Sequence, residues 1–435
     1  LEELLPAQLS GDVLAALIDE ICTAGGRGWA GSQPHLSTIG DVIIALAHNG
    51  TLVNFDSLRR QLIDLGVPFM SNTDSEVATR LIGYFTQNTR HIREGIRCTM
   101  ELLEGAYAMV LINGESLYAF RDPNGIRPLV LGKLPNDAGW CVASETCAFD
   151  ILGAEFVREV EPGEVLRINA EGLVSERAVA PRKKALCIFE HVYFARPDSV
   201  MDGATVQSMR VKMGEQLARE SAVEADLVIG VPDSGLPGAE GFSRASGIPC
   251  RTGFVKNRYV GRTFIQPTQE MRELGVRLKL NHLCETIEGK RVVVVDDSIV
   301  RGTTSKQIVR MLREAGATEV HMRIVSPEVK WPCFYGIDTD TQDQLISARK
   351  TPEEVCEWIG ADSLAFLSVE GLLSCVPEGG YCCSCFDGAY PVEIPAVFSQ
   401  GKFLDGYTPN NLTKASANSH RSVSDVAREI EKEYE

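Results

Sequence analysis

Two adjacent carboxylates, Asp296 and Asp297, stand between a run of four valines and a short segment that is rich in hydroxyl groups. The carboxylates can accept hydrogen bonds from ribose hydroxyls and help to hold Mg2+, which prefers oxygen ligands. Loop amides and hydroxyls at the start of a helix cradle a phosphate, because unpaired N–H groups and the helix dipole favour an anion. The residues available for such a cradle are Ser298, Arg301, Gly302, Thr303 and Thr304. Paired acids alone would often be an exposed turn, but the full run predicts a site for a phosphorylated sugar with Mg2+.

A second loop follows the apolar strand that ends at Val231 and places Ser234 and Gly235 among turn-forming prolines and glycines. Small residues let backbone amides approach a pyrophosphate closely. A simple turn explains the same residues equally well. The loop is therefore a second candidate for the phosphate site.

A third segment, between Lys256 and Phe264, carries cations around a tyrosine and a glycine. Its candidate functional residues are Lys256, Tyr259 and Arg262. Such a segment suits a mobile lid, which excludes water when an oxocarbenium-like centre must react with an amine. A solvated basic loop is the alternative.

These three segments lie within residues 184–368, where buried β-branched runs alternate with helices. Residues 227–231, 292–295 and 320–325 are predicted strands, and a helix is predicted after Ser305. Continuous apolar strands separated by helices are typical of a parallel α/β sheet. Ligands of such sheets bind outside the carboxyl ends of the strands, which is where the paired carboxylates lie.

Residues 43–179 show a different pattern, which predicts an antiparallel α+β domain. Strand-like runs on either side of Asn113-Gly114 predict one hairpin. On local grounds Asn49-Gly50 is another hairpin turn.

A helix start is predicted at Thr73, because Thr73 and Glu76 have the spacing of a capping box. The capping box is a reciprocal pair of hydrogen bonds between the side chains and backbone amides of the two residues. Asp74 then lies at a helix N-terminus.

The composition limits the class of protein. A chain of 435 residues is long enough for two or three domains. No apolar stretch is long enough to span a bilayer, and the net charge of -16 argues against a nucleic-acid partner. Thirteen cysteines without a secretory segment favour a reducing cytoplasm over a disulfide scaffold.

Together with residues 187–198, the three segments closely resemble the glutamine PRPP amidotransferase family, whose substrate PRPP is 5-phosphoribosyl 1-pyrophosphate. The likeness covers about residues 45–394. It implies a fold of α/β and α+β class with two domains. An N-terminal-nucleophile type glutaminase, with antiparallel sheets layered with helices, would occupy residues 1–180. A type I phosphoribosyltransferase parallel α/β domain would follow over residues 181–370, then a C-terminal cluster-binding segment and tail over residues 371–435.

In that family ammonia derived from glutamine attacks C1 of PRPP, with release of pyrophosphate and glutamate, as the first step of purine synthesis. The resemblance implies that Ser234, Asp296 and Asp297 surround Mg2+ and the ribose. The implied substrate-binding residues of this site are Ser234, Gly235, Asp296, Asp297, Ser298, Arg301, Gly302, Thr303 and Thr304. The implied residues of the closing loop are Lys256, Tyr259 and Arg262.

The resemblance also implies a glutaminase site in which Asn49 and Gly50 supply the oxyanion hole, and Asp74 binds the amino group of glutamine. The family's nucleophile is an N-terminal cysteine whose free α-amine serves as its base. Here residue 1 is Leu1, and Cys22 lies inside a predicted helix. We therefore expect a fragmentary or altered N-terminus and no glutamine hydrolysis by this chain.

Four cysteines fall where the iron-sulfur branch of the family has its cluster ligands: Cys187, Cys333, Cys382 and Cys385. Four thiolates, two of them in a Cys-x-x-Cys pair, meet the requirement of a 4Fe-4S cluster. Zinc would use the same number of ligands, and Cys383 is an alternative ligand beside the pair. The cluster is expected to be structural rather than catalytic.

The family implies further partners: purine nucleotides as feedback inhibitors and a homotetramer of identical chains. A PRPP-binding regulatory protein without catalysis is the alternative, although no basic DNA-binding module is visible. A salvage phosphoribosyltransferase would leave the first domain and the four cysteines unexplained. Residues after Phe398 predict a loosely held tail with an acidic helix from Val423.

Overall fold

The computed structural model of the protein describes residues 31–39, 42–257, 280–339, 341–396, 402–403 and 421–434. In these ranges no helix has the length and apolar character needed to cross a membrane. Two predicted lid residues, Tyr259 and Arg262, lie outside the described residues, as do Leu1 and the helix predicted around Cys22.

The first domain contains two antiparallel sheets. Its elements are β1 (His35–Ile39), β2 (Val42–Leu52), α1 (Phe55–Asp64), α2 (Asp74–Thr89), α3 (Ile92–Leu102), β3 (Gly105–Asn113), β4 (Ser116–Arg121), β5 (Val130–Lys133), β6 (Trp140–Ala143), α4 (Cys147–Leu152), β7 (Glu155–Glu159), β8 (Glu164–Asn169) and β9 (Gly172–Arg177). The larger sheet has the order β1-β2-β3-β4-β8-β9, and the smaller has the order β6-β5-β7. The predicted hairpin at Asn113-Gly114 is confirmed, because β3 pairs with β4 across it.

Alternation along β3 explains how these sheets are layered. Tyr107 and Met109 pack into one core with the apolar face of α2. Ala108 and Val110 point the other way and pack with Leu131 of the smaller sheet. Since successive side chains of a strand lie on opposite faces, one strand serves both cores. The prediction of antiparallel sheets layered with helices is confirmed.

The second domain is built on a parallel sheet. The elements from residue 186 onward are β10 (Leu186–Cys187), a π-helical turn (Glu190–Phe194), β11 (Val200–Met201), β12 (Ala204–Thr205), α5 (Val206–Glu220), β13 (Leu227–Gly230), α6 (Gly235–Ser246), β14 (Phe254–Lys256), β15 (Leu280–His282), α7 (Cys284–Ile287), β16 (Arg291–Asp296), α8 (Thr303–Glu314), β17 (Glu319–Ile324), α9 (Ile346–Arg349), α10 (Pro352–Ile359), β18 (Ser363–Phe366), α11 (Val369–Cys375), β19 (Tyr381–Cys382), α12 (Ser384–Asp387) and α13 (Val423–Tyr434). The sheet order is β13-β16-β17-β18, and all three pairings are parallel.

Both faces of this sheet are covered, which explains the four consecutive valines of β16. Val292 and Val294 pack into a core with α8 and α10. Val293 and Val295 pack on the opposite face with α5 and α6. A parallel strand buried on both faces needs apolar residues at every position. The predicted parallel α/β domain is therefore confirmed.

An ion pair joins the two domains. The guanidinium of Arg127 lies 2.8 Å from the carboxylate of Glu190, and both side chains are buried. Arg127 also donates to the carbonyl of Tyr335 at 3.0 Å. The pair thus connects the first domain to two separate segments of the second.

The C-terminal helix α13 corrects the prediction of a loosely held tail. Val423, Val426, Ala427 and Ile430 are buried in the core of the first domain, next to α1 and α2. The amide of Val423 also donates to the side chain of Gln61 at 2.9 Å. The prediction was wrong for this helix because its apolar face covers a core that the rest of the domain leaves open.

Replacing Ile430 with alanine tests that packing. Ile430 is 3 % exposed, so Ile430→Ala is expected to lower the free energy of unfolding by about 2–3 kcal/mol. This loss corresponds to a fall of about 5 °C in the thermal midpoint, measured by calorimetry. Arg428→Ala on the exposed face of the same helix is the control and should change the midpoint by little. Equal midpoints for the two variants would show that α13 does not support the core.

Candidate functional site

The structure brings the two predicted phosphate loops together at the carboxyl end of β16. Asp296 ends this strand and Asp297 follows it, and both carboxylates are buried. The hydroxyl of Ser298 donates to one oxygen of Asp297 at 2.6 Å, and the hydroxyl of Ser234 donates to the other. Ser234 is 63 positions away in sequence, so only the parallel pairing of β13 with β16 makes this contact.

Burial raises the pKa of both carboxyl groups. The charge of Asp297 raises the pKa of Asp296 further, whereas the hydroxyls of Ser234 and Ser298 oppose the rise at Asp297. Arg210, which the sequence did not suggest, also lowers the pKa of Asp297. Two buried negative charges are stabilised by a cation, and their hard oxygen atoms suit Mg2+.

Gly235 explains how the second loop lies so close to β16. A Cβ atom at Gly235 would lie 2.5 Å from the carbonyl oxygen of Val295, so a larger residue would push the loop away. The amide of Val231 donates to the same carbonyl at 2.9 Å. These contacts hold Ser234 beside Asp297.

The predicted phosphate cradle lies at the start of α8. Gly302 precedes this helix with φ +77°, a conformation that favours glycine. Thr303 and Thr304 are exposed in the first turn. The first backbone bond runs from the amide of Lys306 to the carbonyl of Gly302, at 2.9 Å. The amides of the first helical turn have no partner inside the helix, and such amides can bind an anion.

Lys256 is the predicted lid residue that the structure describes. It ends β14, and its ammonium contacts the carboxylate of Asp233 in the second loop. Both side chains are largely exposed. The first residue of the segment predicted to be a lid therefore lies beside the candidate pyrophosphate loop.

The predicted hairpin turn at Asn49-Gly50 is wrong, because both residues lie inside β2. They pair with Ala108 and Tyr107 of β3. Gly50 has φ +141°, and a Cβ atom there would lie 2.0 Å from the carbonyl oxygen of Ala106. Asn-Gly is favoured in turns, but here the glycine allows an unusual backbone conformation within a strand.

Asp74 lies at the start of α2, as predicted. The hydroxyl of Thr73 accepts from the amide of Glu76 at 3.2 Å. The other half of the capping box is not made, because the carboxylate of Glu76 accepts from the amide of Met70 at 2.8 Å instead. Asp74 is fully buried and accepts from the amide of Leu52 at 2.9 Å, which links it to the end of β2.

His48 was not predicted as a site residue, and it contacts the start of α2. Its ring nitrogen Nδ1 lies 3.0 Å from the hydroxyl of Ser75 and 3.9 Å from the carboxylate of Asp74. Burial lowers the pKa of His48, although the charge of Asp74 opposes the shift. The carbonyl and amide of His48 both bond to the side chain of Gln33. Asp74 thus lies in a buried network with His48, the residue that precedes Asn49 and Gly50 in β2.

The four predicted cluster cysteines lie on segments that meet in one core. Cys187 in β10 is in register with Cys382 in β19. The carbonyl of Cys385 accepts from the amide of Trp331 at 3.0 Å, which brings the segment before Cys333 to the same place. These contacts join parts of the chain that are far apart in sequence.

The thiols of these cysteines influence one another. Burial is the main reason for the raised pKa of Cys187, Cys382 and Cys385, and that of Cys382 is about 12. The four predicted ligands form six pairs. In each pair, the negative charge of one thiolate helps to raise the pKa of the other thiol. Cys383 is also buried there with a pKa of about 12, so it remains a neighbour of the set.

The buried thiols of Cys187, Cys382 and Cys385 and the partly buried thiol of Cys333 fit an iron-sulfur cluster, because its irons would neutralise thiolates that are costly to bury alone. Across the described ranges, no three His, Cys, Asp or Glu side chains are arranged to hold a single metal ion. A four-iron cluster is wider than one ion, so its thiolates lie further apart than zinc ligands, whose Zn–S bonds are about 2.3 Å. The absence of a single-ion site among the described residues is therefore compatible with four cysteines that ligate a cluster.

Comparison with known families gives two domain matches. Residues 27–150 match the glutamine amidotransferase domain, and residues 212–326 match the phosphoribosyl transferase domain. The amidophosphoribosyltransferase of Synechocystis sp. is 51 % identical over 386 residues, which cover 88 % of this chain and 78 % of that protein. The amidophosphoribosyltransferase of Bacillus subtilis is 51 % identical over 382 residues, or 86 % of this chain and 79 % of that protein.

Solved structures show the same likeness. The structure of the allosteric regulatory enzyme of purine biosynthesis is 48 % identical, with a TM-score of 0.78 over 91 % of this chain and 84 % of that one. The glutamine PRPP amidotransferase from B. subtilis complexed with ADP and GMP is 47 % identical, with a TM-score of 0.78 over 89 % of this chain and 84 % of that one.

Proposed function

Because this chain belongs to the amidophosphoribosyltransferase family, we propose that its site at Asp296 and Asp297 binds PRPP with Mg2+. The chain is an enzyme of the glutamine amidotransferase and pentosyltransferase type. We propose that the nitrogen of ammonia forms a bond to C1 of PRPP while the bond from C1 to pyrophosphate breaks. The products are 5-phosphoribosylamine and pyrophosphate.

The observation that carries this proposal is the convergence of Ser234 and Ser298 on the carboxylate of Asp297. The serines orient the carboxylate, which then accepts hydrogen bonds from the ribose hydroxyls. Positive charge develops at C1 as pyrophosphate leaves, and Asp296 and Asp297 stabilise it. Bound Mg2+ supplies neutralising charge for the leaving pyrophosphate.

The two ends of PRPP would be held by different loops. The first-turn amides of α8, with Thr303 and Thr304, hold the 5-phosphate. The loop at Ser234 and Gly235 holds the pyrophosphate through closely approaching amides. Lys256 is positioned to exchange its exposed contact with Asp233 for a contact with the pyrophosphate, which would close the lid over the reacting atoms.

In the first domain, we propose that Asn49 and Gly50 stabilise the tetrahedral intermediate of glutamine hydrolysis and that Asp74 binds the glutamine amino group. The bond from the amide of Leu52 to Asp74 supports this assignment, because it places the carboxylate beside the strand that carries Gly50. Asn49, Gly50 and Asp74 do not include the nucleophile that glutamine hydrolysis needs. Ammonia released there would reach the second site only where that nucleophile is present, so we expect this chain to use added ammonia as its nitrogen donor.

We also propose a structural 4Fe-4S cluster held by Cys187, Cys333, Cys382 and Cys385. The register of Cys187 with Cys382, and the bond from the amide of Trp331 to the carbonyl of Cys385, support it because they bring the segments of the four cysteines together. Such a cluster would supply a cross-link between β10, β19 and the segment at Cys333. Thiolates that ligate iron must stay reduced, which agrees with a cytoplasmic location.

Regulation is proposed from a relative. The B. subtilis protein has been solved with ADP and GMP bound. We propose that purine nucleotides inhibit this chain as well and that it assembles as a homotetramer. Inhibition by added nucleotides and the mass in solution would test these two proposals separately.

The ammonia reaction tests the proposed function directly. The anaerobically purified protein, supplied with PRPP, MgCl2 and NH4Cl, should release pyrophosphate. Omitting ammonium, or removing Mg2+ with EDTA, should stop the release. Free nucleobases in place of ammonium should give none, which separates the reaction from salvage. PRPP binding without turnover would overturn the proposal in favour of a non-catalytic PRPP-binding regulator.

A further inference from the structure

The inner side of the candidate phosphate loop rests on two apolar side chains. A Cβ atom at Gly302 would lie 2.7 Å from Cζ3 of Trp358 and 2.9 Å from Cδ1 of Ile346. Even one added methyl group therefore has no room without movement of the neighbours. The amide of Ile346 also donates to the carbonyl of Val300 at 2.9 Å. The loop is thus attached to the segment 346–359 at two points.

Trp358 lies on a well-defined helix. Thr351 and Glu354 form both bonds of a capping box at the start of α10, and Gly360 ends the helix in the left-handed conformation. The ammonium of Lys306 lies 4.5 Å from the centre of the Trp358 ring. Lys306 belongs to the second turn of α8, so one indole ring contacts both the loop and the helix that follows it.

We propose that Trp358 is a positioning residue for the 5-phosphate of PRPP: its indole holds Gly302 and Lys306 so that the first-turn amides of α8 keep the geometry that a phosphate requires. The inference rests on the proposed binding of PRPP at this site. Thr303 and Thr304 are exposed, and the loop is supported on its inner side at Gly302 by Trp358 and Ile346, which fixes the direction of the amides. A pre-organised loop loses less conformational entropy when the ligand binds.

Trp358 also packs against the core formed by α8 and β16, so a purely structural role is the competing explanation. The two roles differ in their kinetic consequences. A structural role affects the stability of the domain and all substrates alike. Loss of a positioning residue weakens the binding of PRPP in particular, because in the proposed function PRPP is the substrate that contacts the loop.

The first experiment compares Trp358→Ala with the conservative Trp358→Phe. A freed loop must be ordered again when PRPP binds, which costs conformational entropy. Trp358→Ala should therefore raise KM for PRPP about tenfold or more, while KM for ammonia changes less than about twofold. Trp358→Phe keeps an aromatic ring against Gly302 and should restore KM for PRPP to within about threefold of the original. Trp140→Ala, in the smaller sheet of the first domain, is the control and should leave both KM values unchanged.

A double-mutant cycle keeps the inference testable if Trp358→Ala also lowers stability. Gly302→Ala should raise KM for PRPP strongly, because the new methyl group meets the indole. Adding Trp358→Ala removes that collision, so the double variant should be no worse than Gly302→Ala alone. Effects that simply multiply would show that the two residues do not act through a shared contact.

The outcomes separate this inference from the proposed function. If the unaltered protein neither binds PRPP nor releases pyrophosphate, the proposed function fails. If it does both and Trp358→Ala leaves KM for PRPP unchanged, only the positioning role of Trp358 fails. Equal rises in KM for PRPP and ammonia would likewise overturn it in favour of the structural role.

Discussion

Asp297→Asn is expected to lower kcat/KM for the ammonia-dependent reaction by roughly 100-fold or more. The substitution keeps the size of the side chain but removes the charge that the proposed site uses to hold Mg2+ and the ribose. A hydrogen bond to a charged group contributes about 1.5–3 kcal/mol, and about 1.4 kcal/mol corresponds to a factor of ten. Loss of two such interactions gives the expected magnitude. Pyrophosphate release at varied PRPP concentration measures it.

The same variant should be as stable as the original protein, or more stable. Burial raises the pKa of Asp297 above its unfolded value. Because the pKa of this carboxyl group is higher in the folded protein, the group stabilises the fold at low pH. This stabilisation is lost as the pH rises through the pKa of the folded state. At neutral pH Asp297→Asn avoids that loss, so its thermal midpoint should not fall.

A matched control lies at the amino ends of the same strands, opposite the candidate site. The carboxylate of Asp226, just before β13, pairs with Arg291 at the start of β16 and is partly exposed. Asp226→Asn should leave kcat/KM within about twofold, because surface ion pairs contribute little. If Asp297→Asn retained full activity, the assignment of this carboxylate to the PRPP site would be wrong.

Cys385→Ser is expected to abolish the proposed cluster and to lower the thermal midpoint by about 10 °C or more. A serine oxygen replaces a thiolate ligand poorly, and losing a structural metal centre removes several kcal/mol from the folding free energy. Iron content after anaerobic purification and the visible absorption of the protein measure the first effect. Calorimetry measures the second.

Two other cysteines provide controls for this experiment. Cys356 lies on α10 and is not one of the four predicted ligands, so Cys356→Ser should retain the iron of the original protein. Cys383→Ser decides whether the thiol next to the Cys-x-x-Cys pair is a ligand, and we expect it to retain iron. A zinc-containing, colourless original protein would overturn the cluster assignment altogether.

The candidate PRPP site was predictable because its key signals are local. In the run through β16, a buried strand, two carboxylates and a glycine followed by hydroxyls are adjacent in sequence. Strand periodicity and helix-start chemistry act over a few residues, so they can be recognised without the fold. Asp74 at the start of α2 was predictable for the same reason.

The errors arose where tertiary contacts overrode local preference. Asn49-Gly50 has the residue types of a turn, yet pairing with β3 keeps both residues inside β2. The acidic helix after Val423 resembles a free tail by composition, yet its apolar residues complete the core of the first domain. In both cases burial of distant partners outweighs a local preference of about 1 kcal/mol or less.

The run from Val292 to Thr304 predicts the class of ligand, because a few residue types in a short order carry the chemistry that binds a phosphate and a cation. The residues that hold this run in place were decided only by the tertiary structure. Ser234 reaches Asp297 across 63 positions, and Trp358 supports Gly302 from a later helix. Such contacts depend on how strands pair and helices pack over long separations, and no local periodicity encodes which distant side chain fills a given gap.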